Sequence, residues 1–261
     1  MKSTYTYDHF YLYDEITQIV QKYAAEHPEL CRLYSLNKTP EGRDIWAMDI
    51  TNTKTGAYED KPAYCIDANI HAGEVTGSMV AMFFLDTIFS NLDNPEIQKI
   101  LDRYTLYVIP RISPDGSECY LTTPEMVRSV NRLYPYDQLM PGLQPKDMDG
   151  DGLILKMRVK SPYGVWKVSD RDPRLMTKRQ PDDMESEFYN VYSEGYIEDY
   201  DGHTIQTAPG KWGNDLNRNF PLSWTPEHNQ RGAGEYPLAN IETRSIAEFI
   251  NDHKNICSII N

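Results

Sequence analysis

Residues 64–85 constrain the fold of this 261-residue chain more than any other stretch. They open as a short apolar run and turn polar at Asn69. They then set His71 and Glu74 three residues apart and continue as an apolar segment long enough for a buried helix. A buried strand feeding a buried helix is the repeating unit of α/β architecture. The turn between them brings the two side chains to one side of the chain. A neutral imidazole nitrogen and a carboxylate oxygen both suit zinc, and a catalytic zinc takes three protein ligands while keeping one position open. His71 and Glu74 would be two of the three. Read alone, the pair is better explained as a helix cap, with Glu74 at the positive end of the helix and His71 on a backbone carbonyl; the other motifs of the chain reverse that preference.

The rest of the chain extends the same alternation. Residues 11–27 read as a helix capped by Asp14, with Ile16, Ile19, Val20, Tyr23 and Ala24 on one face, ended by His27-Pro28. Residues 30–36 and 44–51 read as a hairpin around Thr39-Pro40-Glu41-Gly42-Arg43. Residues 64–67 form a short apolar strand of the kind found at the centre of a sheet. A second helix follows Asn94-Pro95, with proline at its first position. Residues 105–109 form another strand, and 110–116 a loop at its carboxyl end. Residues 241–251 and 255–260 give a final helix and strand. The expected fold is α/β, a mixed, mainly parallel central sheet flanked by helices. In such sheets ligands sit beyond the carboxyl ends of strands, where His71, Glu74 and Asp115 fall. Residues 133–210 are rich in Pro, Gly, Asp and Tyr and carry short β-like pieces at 154–159 and 164–168. They read as an inserted loop-rich subdomain with a small core from Trp166, Tyr189, Tyr192 and Tyr196.

Composition narrows the function. A net charge of -13 argues against nucleic acid and against anionic membrane surfaces. No apolar run is long enough for a transmembrane helix, and the first ten residues hold no apolar signal core. A cytoplasmic location is therefore expected, or an extracellular one if the N-terminus is incomplete. Cys31, Cys65, Cys119 and Cys257 are scattered, with no zinc-ribbon spacing; Cys65 and Cys257 read as small buried hydrophobes.

A second informative stretch is Asn214-Asp215-Leu216-Asn217-Arg218-Asn219-Phe220-Pro221. Two asparagines flanking an arginine make poor core material. Arginine offers a planar fork that matches a carboxylate in two hydrogen bonds, and Asn217 adds a donor and an acceptor beside it. The pair Asn217-Arg218 could hold the free carboxylate of a peptide; an arginine bracing its own loop is the plainer reading.

Taken in order, His71-Ala72-Gly73-Glu74, Ser113-Pro114-Asp115-Gly116 and Asp215-Leu216-Asn217-Arg218-Asn219-Phe220 resemble the zinc carboxypeptidase family typified by pancreatic carboxypeptidase A. Glu41-Gly42-Arg43-Asp44-Ile45 resembles that family's early hairpin. The similar segments cover about residues 8–132 and 211–261. The resemblance implies a zinc-exopeptidase-like fold and a zinc ion held by His71, Glu74 and a second histidine. It also implies a substrate carboxylate gripped by Asn217 and Arg218, and an arginine that polarises the scissile carbonyl. Arg128 and Arg132 are the candidates for that arginine, and the wording Asn131-Arg132-Leu133 favours Arg132. Where some members carry an arginine before the zinc glutamate, this chain has Gly73. The family's second zinc histidine, catalytic glutamate and substrate-covering tyrosine follow the strand represented here by residues 256–260. His203, His228 and His253 are poor substitutes. The chain therefore reads as the amino-terminal part of a catalytic domain, with the carboxyl-terminal part missing and inactive by itself.

The expected activity is that of a zinc metallocarboxypeptidase acting on peptides with a free carboxyl terminus. Two other readings remain: a related zinc amidase acting on cell-wall peptides or acyl amino acids, and a non-catalytic peptide-binding module. A third signal is Asp147-Met148-Asp149-Gly150-Asp151-Gly152, whose acids match positions one, three and five of a calcium loop. Position twelve is Arg158 instead of a glutamate, so an acid from elsewhere, Asp170 or Asp172, would have to complete a calcium shell.

Overall fold

The computed structural model describes residues 2–184 and 187–261. In chain order the helices and strands are α1 (Tyr13–Glu26), β1 (Cys31–Lys38), β2 (Asp44–Ile50), β3 (Ala63–Asp67), α2 (Val75–Phe89), α3 (Pro95–Arg103), β4 (Thr105–Ile109), α4 (Pro114–Thr122), β5 (Gly142–Pro145), β6 (Lys156–Lys160), β7 (Trp166–Val168), β8 (Met176–Lys178), β9 (Tyr189–Ser193), β10 (Gly195–Glu198), α5 (Ile241–Asp252) and β11 (Ile256–Ile260). They divide into two compact units. One comprises Met1–Thr122, Met126–Asp137 and Lys211–Asn261, the other Thr123–Glu125 and Gln138–Gly210.

The first unit is α/β, built on a five-stranded sheet of order β1-β2-β4-β3-β11. β4, β3 and β11 run parallel. β1 and β2 join as an antiparallel hairpin, with β2 antiparallel to β4, so the sheet is mixed. Alternation along β4 shows why it lies inside: Leu106 and Val108 enter one apolar cluster with α1, α2 and α3, while Tyr107 and Ile109 enter a second with Ile246 and Phe249 of α5. A strand buried on both faces is close to apolar throughout; every residue of β4 is buried, and the Thr105 hydroxyl at its first position donates to the Tyr58 carbonyl.

Local details depart from the sequence expectations in three places. Leu12, not Asp14, caps α1; the Glu15 carboxylate accepts from the Leu12 amide at 2.8 Å, which satisfies the chain entering the helix. The Pro-Asp-Gly segment is the first turn of α4 and not a loop, with Pro114 at a position where a missing amide costs nothing. Cys257 lies on the exposed strand β11, although its thiol donates to the Ala63 carbonyl. Asn94 caps α3 as its Asn-Pro signal implies, accepting from the Glu96 amide.

The second unit carries a four-stranded sheet of order β6-β9-β7-β8 and a two-stranded antiparallel sheet of β5 and β10. β6 is exposed along its length. Trp166, Tyr189, Tyr192 and Tyr196 are half-buried, and both clusters of buried hydrophobics lie in the α/β unit. Among the described residues, no helix is long and apolar enough to cross a membrane.

Candidate metal and substrate site

The site forms where β3 ends. Asn69 takes a left-handed backbone conformation, φ 61°, and turns the chain out of the sheet. Asparagine tolerates this region better than other residues with a Cβ. The turn delivers His71, and Glu74 follows as the residue capping α2. The imidazole is buried and the glutamate side chain is 56% exposed. His71 Nδ1 lies 2.8 Å from Glu74 Oε1, and His71 Nε2 lies 3.0 Å from Asp215 Oδ1.

An imidazole flanked by carboxylate oxygens on both ring nitrogens needs a cation in the arrangement. A neutral ring donates one N–H and presents a lone pair at the other nitrogen. If Nε2–H donates to Asp215, the Nδ1 lone pair faces the Glu74 oxygen, and a proton or a metal ion must stand between them. The donor set suits zinc. A carboxylate on the far nitrogen is the usual device that fixes the tautomer and ring orientation of a metal-bound histidine.

Asp215 has no role that its sequence neighbours reveal. Its position caps the short turn Leu216–Arg218, and its Oδ1 also accepts from the Asn217 amide at 2.9 Å. Its Oδ2 accepts from Arg128 Nε at 3.0 Å. Burial pushes the Asp215 carboxyl up, but the bond from His71 and the Arg128 guanidinium outweigh it and hold the group below the ordinary carboxylate value. Arg128 Nη1 also lies 3.8 Å from Glu74 Oε1. His71, Glu74, Asp215 and Arg128 thus form one connected cluster.

Arg132 is elsewhere engaged. Its guanidinium grips both oxygens of the fully buried Glu242, at 2.8 and 2.7 Å, and the Asn240 side-chain oxygen at 2.9 Å. That fork is already filled, and of the two candidate arginines Arg128 is the one that lies beside Glu74 and Asp215.

Asn217 and Arg218 are exposed. Arg218 spends one bond on its neighbour's carbonyl, at 3.0 Å, so most of its donors face solvent. Asn219 corrects the expectation that this stretch is poor core material. It is fully buried, donates to the carbonyls of Ala233 and Tyr236, and accepts from the Asn240 amide and the Thr243 hydroxyl. It pins the loop so that its two neighbours can stay open.

The Pro-Asp-Gly segment contributes bracing, not ligands. Buried Asp115 accepts from the Thr39 hydroxyl, the Glu41 amide and Arg43, which fastens the β1–β2 turn. Gly116 packs against the Ser129 carbonyl: a Cβ there would sit 1.8 Å from that oxygen. Ser129 also accepts from the Ser113 hydroxyl and the Leu216 amide, and its neighbour Arg128 accepts from the Ala72 amide at 2.9 Å. The three motifs meet at this one buried loop.

In the second unit, Asp147, Asp149 and Asp151 place carboxylate oxygens within 4.8 Å of one another, the one such group of three among the described residues. Those carboxylates accept from the amides of Gly150, Asp151, Gly152 and Leu153, as turns rich in Asp and Gly do. Arg158 lies over the Tyr189 ring. Asp172 pairs with Arg174, and Asp170 lies 3.9 Å from Lys167. Among the described residues no fourth acid joins the three, and calcium gains no support from them.

The sequence profile described as zinc carboxypeptidase matches residues 16–261. Human carboxypeptidase D is 25% identical over 111 residues, covering 42% of this chain and 8% of that protein. A zinc carboxypeptidase of Saccharothrix mutabilis subsp. capreolus is 27% identical over 118 residues, covering 45% of this chain and 27% of that protein. Among solved structures, carboxypeptidase A of Helicoverpa armigera superimposes with a TM-score of 0.59 at 16% identity, covering 98% of this chain and 46% of that one. Thrombin activatable fibrinolysis inhibitor gives 0.56 at 15% identity, covering 98% and 48%. These structural likenesses speak to the fold. The chain spans less than a third of the length of either relative and about half of either solved structure.

Proposed function

The chain belongs to the zinc carboxypeptidase family, and on that premise we propose that it serves a zinc-dependent metallocarboxypeptidase that hydrolyses the carboxyl-terminal bond of peptides. One observation carries the reading: His71 Nδ1 and Glu74 Oε1 face each other at 2.8 Å while Asp215 takes the other ring nitrogen and Arg128 stands beside both carboxylates.

His71 and Glu74 hold the metal, and Asp215 keeps the imidazole in the tautomer that presents Nδ1. Bound there, zinc would acidify a water and polarise the carbonyl under attack. Arg128 offsets charge developing on the carbonyl oxygen, aided by a position fixed before the substrate arrives. Arg218 takes the terminal carboxylate through its open donors, with the Asn217 amide beside it. Glu74 and Asp215 are both engaged by His71 and Arg128, so neither is assigned as the proton acceptor. The roles given to this chain are metal holding and recognition.

Peptides of one sequence with free and with amidated carboxyl termini test the reading, through both binding and hydrolysis in the presence of zinc. A preference of at least about tenfold for the free acid is expected, the worth of one charge-assisted contact. Equal treatment of the two would remove the carboxypeptidase reading and leave the amidase.

A further inference from the structure

One buried side chain near the metal loop is not accounted for by any role above. Asn69 sits two residues before His71 and is almost wholly enclosed. Its Nδ2 donates to the His71 carbonyl at 2.7 Å and to the Ala72 carbonyl at 3.4 Å. Its Oδ1 accepts from the Ser78 hydroxyl of α2 at 3.1 Å and the Ser117 hydroxyl of α4 at 3.0 Å. Its own carbonyl accepts from the Ser113 amide. The Ser78 hydroxyl shares its one proton between Asn69 and the Pro110 carbonyl, the nearer acceptor at 2.6 Å, and accepts from Arg111, itself buried and tied to the Tyr11 carbonyl.

We propose that Asn69 is a positioning residue for the metal pair: its Nδ2 clamps the His71 and Ala72 carbonyls, and so fixes the distance between imidazole and Glu74. The inference rests on the zinc reading of His71 and Glu74. The geometry is specific. The His71 carbonyl that Asn69 grips also accepts from the Glu74 amide at 3.0 Å. One carbonyl therefore links clamp, histidine and glutamate. An αL backbone with a side chain bonded on both its donor and acceptor sides selects asparagine. Glycine keeps the turn but loses the clamp, and aspartate keeps the acceptor but cannot donate to carbonyls.

The test is zinc affinity by competition with a chelator, read together with cobalt absorption spectra and unfolding midpoints. His71→Ala comes first: if zinc binds as before, the zinc reading itself fails and the clamp with it. If that variant loses zinc, Asn69→Gly and Asn69→Asp are compared with Ser117→Ala, which removes a partner of Asn69 without touching the clamp. The expected result is a loss of about tenfold or more in both Asn69 variants, an altered cobalt spectrum, and wild-type affinity in Ser117→Ala. Wild-type affinity in either Asn69 variant, or an equal loss in Ser117→Ala, would overturn the assignment.

Discussion

At the scale of single residues, the two arginines after the Pro-Asp-Gly segment separate binding from stability. Arg132 is the counterion of a fully buried glutamate. Arg132→Ala would strand that charge, and a loss of about 3 kcal/mol in urea unfolding is expected. Arg128 is half exposed and held mainly by Asp215. Arg128→Ala should cost less than about 1 kcal/mol of stability and still abolish peptide turnover or binding in the full enzyme. The opposite pattern would return the substrate role to Arg132. Sequence wording could not make this distinction, because it shows that an arginine follows an asparagine and not which carboxylate lies across from it. Asn219 is the same lesson: polar, in a polar loop, and completely enclosed, because four partners distant in sequence converge on it. Gly116 was legible as a motif but not as a contact. With a Cβ 1.8 Å from the Ser129 oxygen, Gly116→Ala must push the Arg128–Ser129 loop away. A destabilisation of about 2–4 kcal/mol is expected from thermal or urea melts.

At the scale of elements, two acids at the ends of secondary structures titrate with opposite signs. Asp86, near the end of α2, accepts from the hydroxyls of Ser3, Tyr7, Tyr23 and Ser90 and the amides of Thr4 and Tyr5. Burial pushes its carboxyl up, but these donors win and bring it down to about 2. Its charged form stabilises the fold above the ordinary value of 3.8, and that stability is lost as pH falls towards 2. Asp67, at the end of β3, is pushed up to about 6 by burial, which the Asn261 amide only partly offsets. The folded protein therefore holds the Asp67 proton more tightly than the unfolded chain, and stability falls as pH rises from about 4 to about 6. Urea midpoints measured across pH 2–7 should show Asp67→Asn losing the fall above pH 4, and Asp86→Asn losing the one below it, each on the order of 2 kcal/mol. Unchanged slopes in either variant would contradict the assignment. Amide exchange at Thr4 and Tyr5 should also rise in Asp86→Asn, since the N-terminal segment loses its anchor. The sequence shows Asp86 only as a charge interrupting an apolar helix.

At the scale of the whole molecule, the α/β alternation was legible because burial on both faces of a strand imposes a continuous apolar run that composition cannot hide. The helices α1, α2, α3 and α5 and the strands of the first unit follow from that pattern. The second unit was not legible in detail. Its strands are short and half exposed, so period and polarity carry little information, and β5, β8, β9 and β10 had no signal that separated them from loops. The site was legible as three motifs and illegible as one cluster, since Asp215 joins His71 across 144 residues of sequence. That joining is the central claim, and crystals grown with zinc test it most directly, by anomalous scattering at the zinc edge. The account predicts a single strong peak bonded to His71 Nδ1 and Glu74, with Asp215 retained on Nε2. A peak at Asp147, Asp149 and Asp151 instead, or none beside His71, would contradict it.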